Sequence, residues 1–351
     1  MITILENKKN NDVVFSTELN AIRFTPNVSG KIDFSLAYRT NQASGQVYAV
    51  TLVAESGSPV YMSNLGDIFR DFIMNLDNPL PVANAEIKVA KEGATVISIN
   101  IVVIPHYGNK SLKADDYIFK NFMNDCKVSV LPADQKGCAK IHVYEYFKSG
   151  ANNAKWIRLT GGQKRKDEAW SDWTMNSLNS LSSQYLLFAF RRKLTEVAKG
   201  NYFKINNSEI TGGYKVNDLH FLITENMCGA GFIFRNSFGL AEYVFIPGII
   251  SHNPNIEFTE VEVDGELKQI EKESENEFSI KVSEAPYWLA DNARALANSE
   301  VILMLEDPVN FDIESEVLAK GNILVTEISG SFSESPDTLS DFTIKFKSID
   351  I

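Results

Sequence analysis

The chain has 351 residues, 44% of them hydrophobic and 11% aromatic, enough to bury a core in each of several units, which excludes disorder as the main state. Its 45 acidic residues outnumber 34 basic ones, and the net charge of -11 repels phosphate backbones and anionic lipid surfaces, so nucleic acid is not an expected partner. This length suggests two or three domains, and we divide the chain into three, at 1–107, 108–248 and 249–351.

The start, MITILENKKNNDVVF, lacks the long apolar run and cleavage site of a signal peptide, and no stretch approaches the ~18 apolar residues of a membrane span. Short β-branched or aromatic runs bounded by turn residues dominate the rest of the chain. Val47 to Ala54 is one, and Thr95 to Ile104 is another, with Ile97, Ile99, Ile101 and Val103 on one face. Between them Leu65, Ile68, Phe69, Phe72, Ile73 and Leu76 form the stripe of an amphipathic helix, with Ser63 as its expected N-cap and Asn78-Pro79 beyond its end. A helix between strand groups suggests a β-sandwich with a helical insertion.

The segment from His106 to Asp125 reads as a linker with a short helix. Strands resume at Lys127–Leu131, Ala139–Phe147, Tyr185–Phe190, His220–Thr224, Gly231–Phe234 and Tyr243–Ile246, giving an all-β central unit. The basic cluster Lys164, Arg165 and Lys166 reads as a solvated loop. After Pro247-Gly248 the chain turns strongly acidic. Asp264-Gly265 between alternating runs is the cue for a two-residue hairpin turn. A short helix from Pro286 to Leu296 precedes the strand Val301–Leu305, and Ile323–Ile328 and the alternating Phe342, Ile344 and Phe346 close the last sheet, one face of it wet. The fold class is therefore mainly β: serial β-sandwich or β-barrel-like domains with a few short helices.

No phosphate-binding glycine loop, dinucleotide fingerprint or nucleophile elbow is present. Cys126, Cys138 and Cys228 are odd in number and unpaired in spacing, and read as structural thiols in a reducing compartment. His142 has Cys138 and Glu145 nearby, but in an extended strand Cys138 lies roughly 13 Å away and Glu145 on the opposite face, so no local metal site forms. His142 and His220 read as structural strand residues, and His106 and His252, close to prolines, as solvent-facing. Acid pairs such as Asp115-Asp116 and Asp167-Glu168 carry no readable separation. No catalytic, cofactor or metal residue is expected. Trp170 and Trp173, flanking Asp172, are the best candidates for an exposed contact with a partner or glycan. Asn236, Phe238 and Gly239 form a fold-specifying turn, in which Asn caps the backbone and Gly takes a positive φ angle.

The run Phe232-Ile-Phe-Arg-Asn-Ser-Phe-Gly239, with Glu242, Tyr243 and Pro247-Gly248 after it, resembles a segment of tail and baseplate structural proteins from phages and prophages of Bacteroidetes. The helix Ser63-Asn-Leu-Gly-Asp-Ile-Phe-Arg-Asp-Phe72 and the closing Trp288-Leu289 to Phe-Thr-Ile-Lys-Phe346 segment are similar to parts of the same group. The resemblance implies a non-catalytic assembly component, made in the bacterial cytoplasm and carried in the virion, that associates with itself and with other protein subunits. The alternative is a carbohydrate-binding or adhesive β-sandwich protein of a bacterial surface, with Trp170, Trp173, Tyr185 and Trp288 as sugar platforms.

Overall fold

The computed structural model describes residues 2–4, 12–39, 44–76, 83–91, 94–108, 112–117, 121–132, 144–148, 159–164, 171–174, 187–191, 202–207, 219–224, 228–263, 266–309, 311, 322–332, 335 and 337–349. The fold is mainly β. The first part runs β1 (Ile2–Ile4), β2 (Val13–Phe15), a 3-10 turn (Ser16–Leu19), β3 (Ala21–Pro26), β4 (Gly30–Arg39), β5 (Ser44–Ala54), β6 (Val60–Ser63), α1 (Leu65–Met74), β7 (Ala83–Lys91) and β8 (Ala94–Ile104). A five-stranded sheet in the order β2-β8-β7-β4-β5 forms its floor, antiparallel except for the β2–β8 pair. The small sheet β1-β3-β6 and α1 share one core with it, and alternation in β4 shows why: Ile32, Phe34, Leu36 and Tyr38 are buried, while Lys31, Asp33 and Arg39 point outward.

Helix α1 begins one residue later than expected, on Asn64 in the left-handed region at φ 60°. Asn20 serves as its side-chain anchor, accepting from the Asp67 N–H at 3.0 Å. Gly66 is required here, because a Cβ would lie 1.7 Å from the Ser16 carbonyl oxygen. Leu65, Phe69 and Ile73 are buried, while Ile68 and Phe72 at the rim of the stripe are exposed.

The two faces of β2 and β8 serve different cores, as the period of two demands. Val14, Ile101 and Val103 enter the sandwich core. Val13, Phe15, Val102 and Ile104 point the other way, into a second cluster with Ala114, Met123, Phe238 and Leu240.

The middle of the chain contains α2 (Ala114–Tyr117), β9 (Val128–Pro132), β10 (Tyr144–Lys148), β11 (Leu159–Lys164), β12 (Ser171–Thr174), β13 (Leu187–Arg191), β14 (Tyr202–Asn207) and β15 (Leu219–Thr224). Five of these strands form the sheet β12-β11-β14-β15-β9, in which β9 and β15 are parallel, and β10 pairs with β13. The strands β16 (Gly229–Arg235), β17 (Ala241–Pro247), β18 (Ile249–Val263), β19 (Glu266–Ala285), β20 (Ile302–Met304), β21 (Ile323–Ser331) and β22 (Ser340–Ser348), with α3 (Tyr287–Ala297), complete the chain. They form one sheet, β17-β16-β20-β21-β22-β19-β18. The boundary expected after residue 248 therefore runs through a sheet, because β16 pairs with β20 as well as with β17.

This sheet is rolled. β16 and β22 are three strands apart, roughly 14 Å in a flat sheet, yet the rings of Phe232 and Phe346 stack with centroids 5.1 Å apart. Its two edge strands meet at Gly248, whose N–H donates to the Cys228 carbonyl and whose Cα packs so closely on Ile280 and Lys281 that a Cβ would lie 2.7 Å from each. Leu289, Ala290, Ala293 and Leu296 of α3 fill the interior beside Ile280, Ile344 and Phe346. Residues 264 and 265 lie between Val263 and its partner Glu266, at the hairpin position expected from the sequence but outside the described residues.

Candidate functional site

The densest polar chemistry sits where the N-terminal sandwich meets the rolled sheet, at the turn between β16 and β17. Asn236 folds this turn on itself. Its backbone N–H donates to the Leu240 carbonyl at 2.8 Å, the Gly239 N–H donates back to the Asn236 carbonyl at 2.9 Å, and Gly239 sits at φ 73°. The Asn236 side-chain oxygen accepts from the N–H groups of Phe238 and Leu240, each at 3.0 Å. Its amide nitrogen donates outward, to the Met123 carbonyl at 2.7 Å and to Glu242 Oε2 at 2.8 Å.

Glu242 is the hub of the knot. Its two oxygens accept from the backbone N–H groups of Asp125 at 2.7 Å and Cys126 at 2.9 Å, and from the side-chain amides of Asn236 and Asn124. Burial pushes its carboxyl up to about 7, the nearby Asp125 charge adds to the rise, and the Asn236 amide and backbone donors pull it down. The Cys126 thiol is pushed well up by burial and by the same two carboxylates, which leaves it a poor nucleophile. Burial lowers Lys127, which donates to the carbonyls of Phe122 and Asn124.

Aromatic rings cover the other side of the turn. Phe238 stacks on His106 at 5.2 Å and lies 5.4 Å from Tyr117, and Phe15 lies 4.8 Å from His106. His106 is thus 3% exposed, correcting the expectation that it faces solvent. The proline before it ends a core strand, and the ring is drawn in by stacking and by the Ser237 carbonyl 3.1 Å from its Nδ1, which as an acceptor fixes the proton on that nitrogen.

Beside the turn opens a cleft of about 560 Å³, whose walls include Tyr107, Arg235, Ser237, Arg294, Ser299 and Glu300. The Ser237 N–H and hydroxyl both bind the Asp125 carboxylate at 2.6 Å, and the Ser299 hydroxyl donates to the Val301 carbonyl at 2.8 Å. Arg70 lies 4.5 Å over the Tyr107 ring, and Arg294 pairs with Asp291 at 2.9 Å. Charges of both signs line the cleft, and its two serine hydroxyls are held by a carboxylate and a carbonyl. Such a recess presents donors and acceptors to a polar surface.

Asn236, Phe238 and Gly239 thus come together at this junction. Trp170 lies outside the described residues, and Trp173 sits on β12 opposite Gly161, its side chain undescribed. His142 and Cys138 also lie outside them; His252 and Cys228 are exposed. Sequence reading missed Asp125, Asn124 and Arg235; the first two are joined to Glu242 from more than a hundred residues away, which no local spacing signals. Among the described residues no group of three or more His, Cys, Asp or Glu could hold a metal ion, and no helix is long and apolar enough to cross a membrane.

No family model matches the chain, and no curated protein does. Among solved structures it is similar to trypsin-activated alpha-2-macroglobulin from Escherichia coli, at 9% identity and a TM-score of 0.19, over 88% of this chain and 22% of that one. The chain spans about a fifth of that protein's length, and the likeness is too slight to bear on fold or function.

Proposed function

We propose that the chain is a non-catalytic building block of a larger assembly, of the phage or prophage tail or baseplate kind that its motifs resemble, acting by self-association and by docking to other subunits. The observation that carries this reading is the β18–β19 ribbon. β22 pairs with β19 from Glu277 to Ala285, whereas β18 stays paired with β19, through one shift of register between Thr259 and Glu260, as far as Val263 opposite Glu266. From Pro254 opposite Asn276 outward, the ribbon has no third strand among the described residues. At about 3.3 Å per residue it reaches roughly 30 Å past its sheet. A lone two-stranded ribbon is marginal in water, so an arm of this length gains stability where a neighbour covers it, and its edges offer main-chain hydrogen bonds to that neighbour.

Expressed with the genes beside its own, the full chain is expected to sediment in a particle much heavier than its 39.2 kDa. A variant with residues 255–275 replaced by Asn-Gly should keep its circular dichroism and stay out of that particle. Sedimentation as a 39.2 kDa monomer, with and without the neighbouring gene products, overturns the reading.

A further inference from the structure

Proteins blunt open strand edges with short strands, proline, charge or cover. Most sheet edges here follow that rule. β1, β2, β6 and β12 have at most four residues. β18 carries Pro254, Glu257, Glu260 and Glu262, β17 is buried along nearly its whole length, and β9 lies against β17. β5 departs from it. Its 11 residues, Ser44 to Ala54, include no charge and no proline, and among the described residues no strand pairs with the edge facing away from β4.

Helix α1 lies against part of β5, but burial shows that the strand is not closed over. Leu36, Phe34 and Ile32 on β4 are completely buried, yet Tyr48, Val50 and Leu52, opposite them on β5, are only half-buried. The difference lies on the open side of β5, and on the other face of the strand Val53 is 82% exposed.

We infer that β5 pairs antiparallel with β5 of a second copy of this chain, joining two five-stranded sheets into one across a two-fold axis. This rests on the self-association part of the proposed function. Charge selects the occupant. Two copies at -11 each repel, and a neutral strand is where they approach without setting like charges side by side, whereas a foreign strand would be steered by opposite charges that β5 does not offer. A two-fold contact also uses the same surface on both partners. In the centred register Ala49 faces its own copy, Thr51 faces Val47 and Val53 faces Gly45. Uncharged side chains meet throughout.

Ala49 is exposed, so Ala49→Lys and Ala49→Glu leave the monomer's core untouched. Light scattering near the dissociation constant should show a dimer for the parent chain and, for each variant alone, a dissociation constant raised roughly fivefold or more, the effect of a repulsive cross-strand pair. Mixing the two variants should restore the parent's dimer, a rescue that misfolding cannot mimic. Oligomers unchanged in either variant overturn the β5 contact and leave self-association standing elsewhere. A parent chain that stays monomeric overturns both, and β5 amides protected from exchange in that monomer assign the edge to a segment of its own chain.

Discussion

Replacing Asn236 by alanine should be among the most damaging single changes in this protein. The side chain accepts from Phe238 and Leu240 and donates to Met123 and Glu242, at distances of 2.7 to 3.0 Å, and the residue is 2% exposed, so water does not reach the groups left behind. A stranded buried polar group costs about 1–3 kcal/mol; with four groups sharing the loss and the turn relaxing, we expect about 3–6 kcal/mol for Asn236→Ala. Urea unfolding followed by circular dichroism, in the transition that melts the rolled sheet, measures this. Asn236→Asp makes a sharper companion. It keeps the acceptor for Phe238 and Leu240 but sets a second carboxylate against Glu242, so it should be at least as harmful as alanine at pH 8 and partly relieved at pH 5, where the two acids share a proton. An alanine variant within about 1 kcal/mol of the parent, or an aspartate variant equally stable at both pH values, would refute the idea that this side chain holds the junction.

Gly239→Ala places a side chain at φ 73° and brings its Cβ to 3.2 Å from Met74 Sδ and 3.3 Å from Pro105, so a loss of about 1–3 kcal/mol is expected in the same unfolding assay. The folded carboxyl of Glu242 is raised from 4.5 to about 7, so the folded state holds this proton more tightly than the unfolded chain. Its contribution is present in full below pH 4.5 and is lost as pH rises through about 7, a decline of roughly 3 kcal/mol at most. Unfolding midpoints between pH 4.5 and 8 should show the fall, and Glu242→Gln should flatten it.

Strands with a strict period of two are legible in the sequence. Ile97 to Ile101 and Phe342 to Phe346 alternate cleanly because one face meets a core and the other does not, and both occur within a residue or two of the expected positions. β4 and β7 are equally regular in the structure but escape a reading of the sequence, since Ser35, Ala37, Ala83 and Ala85 dilute the apolar signal that burial of Ile32, Phe34, Ile87 and Val89 makes plain. The helix stripe reads correctly at Leu65, Phe69 and Ile73, which enter the sandwich core on a helix that lies against the 3-10 turn and β5, and too widely at Ile68 and Phe72. The break after Pro247-Gly248 marks a real change of composition, but a kink between consecutive strands of a rolled sheet carries the same proline and glycine as a linker. At the junction, Asn236 and Gly239 announce a turn in any context. What makes this turn a site, the backbone of Asp125 and Cys126, arrives from far along the chain and has no side-chain signature at all.

That geometry also bears on what the buried carboxylate is for. A buried charge with matched donors is rarely a net gain over a well-packed apolar substitute, while removing one partner is costly, so the Glu242 knot contributes less to total stability than to the choice of one arrangement. It ties the Asn236–Leu240 turn to residues 123–126, and the same turn holds Phe238 against Phe15 and His106 at the back of the five-stranded sheet. The open edge of β5 belongs to that sheet, and the projecting ribbon to the rolled sheet that β16 and β17 begin. A protein that docks through both must present them at a fixed mutual angle. Fixing that angle is what a polar knot at the junction does and what an interchangeable apolar contact would not.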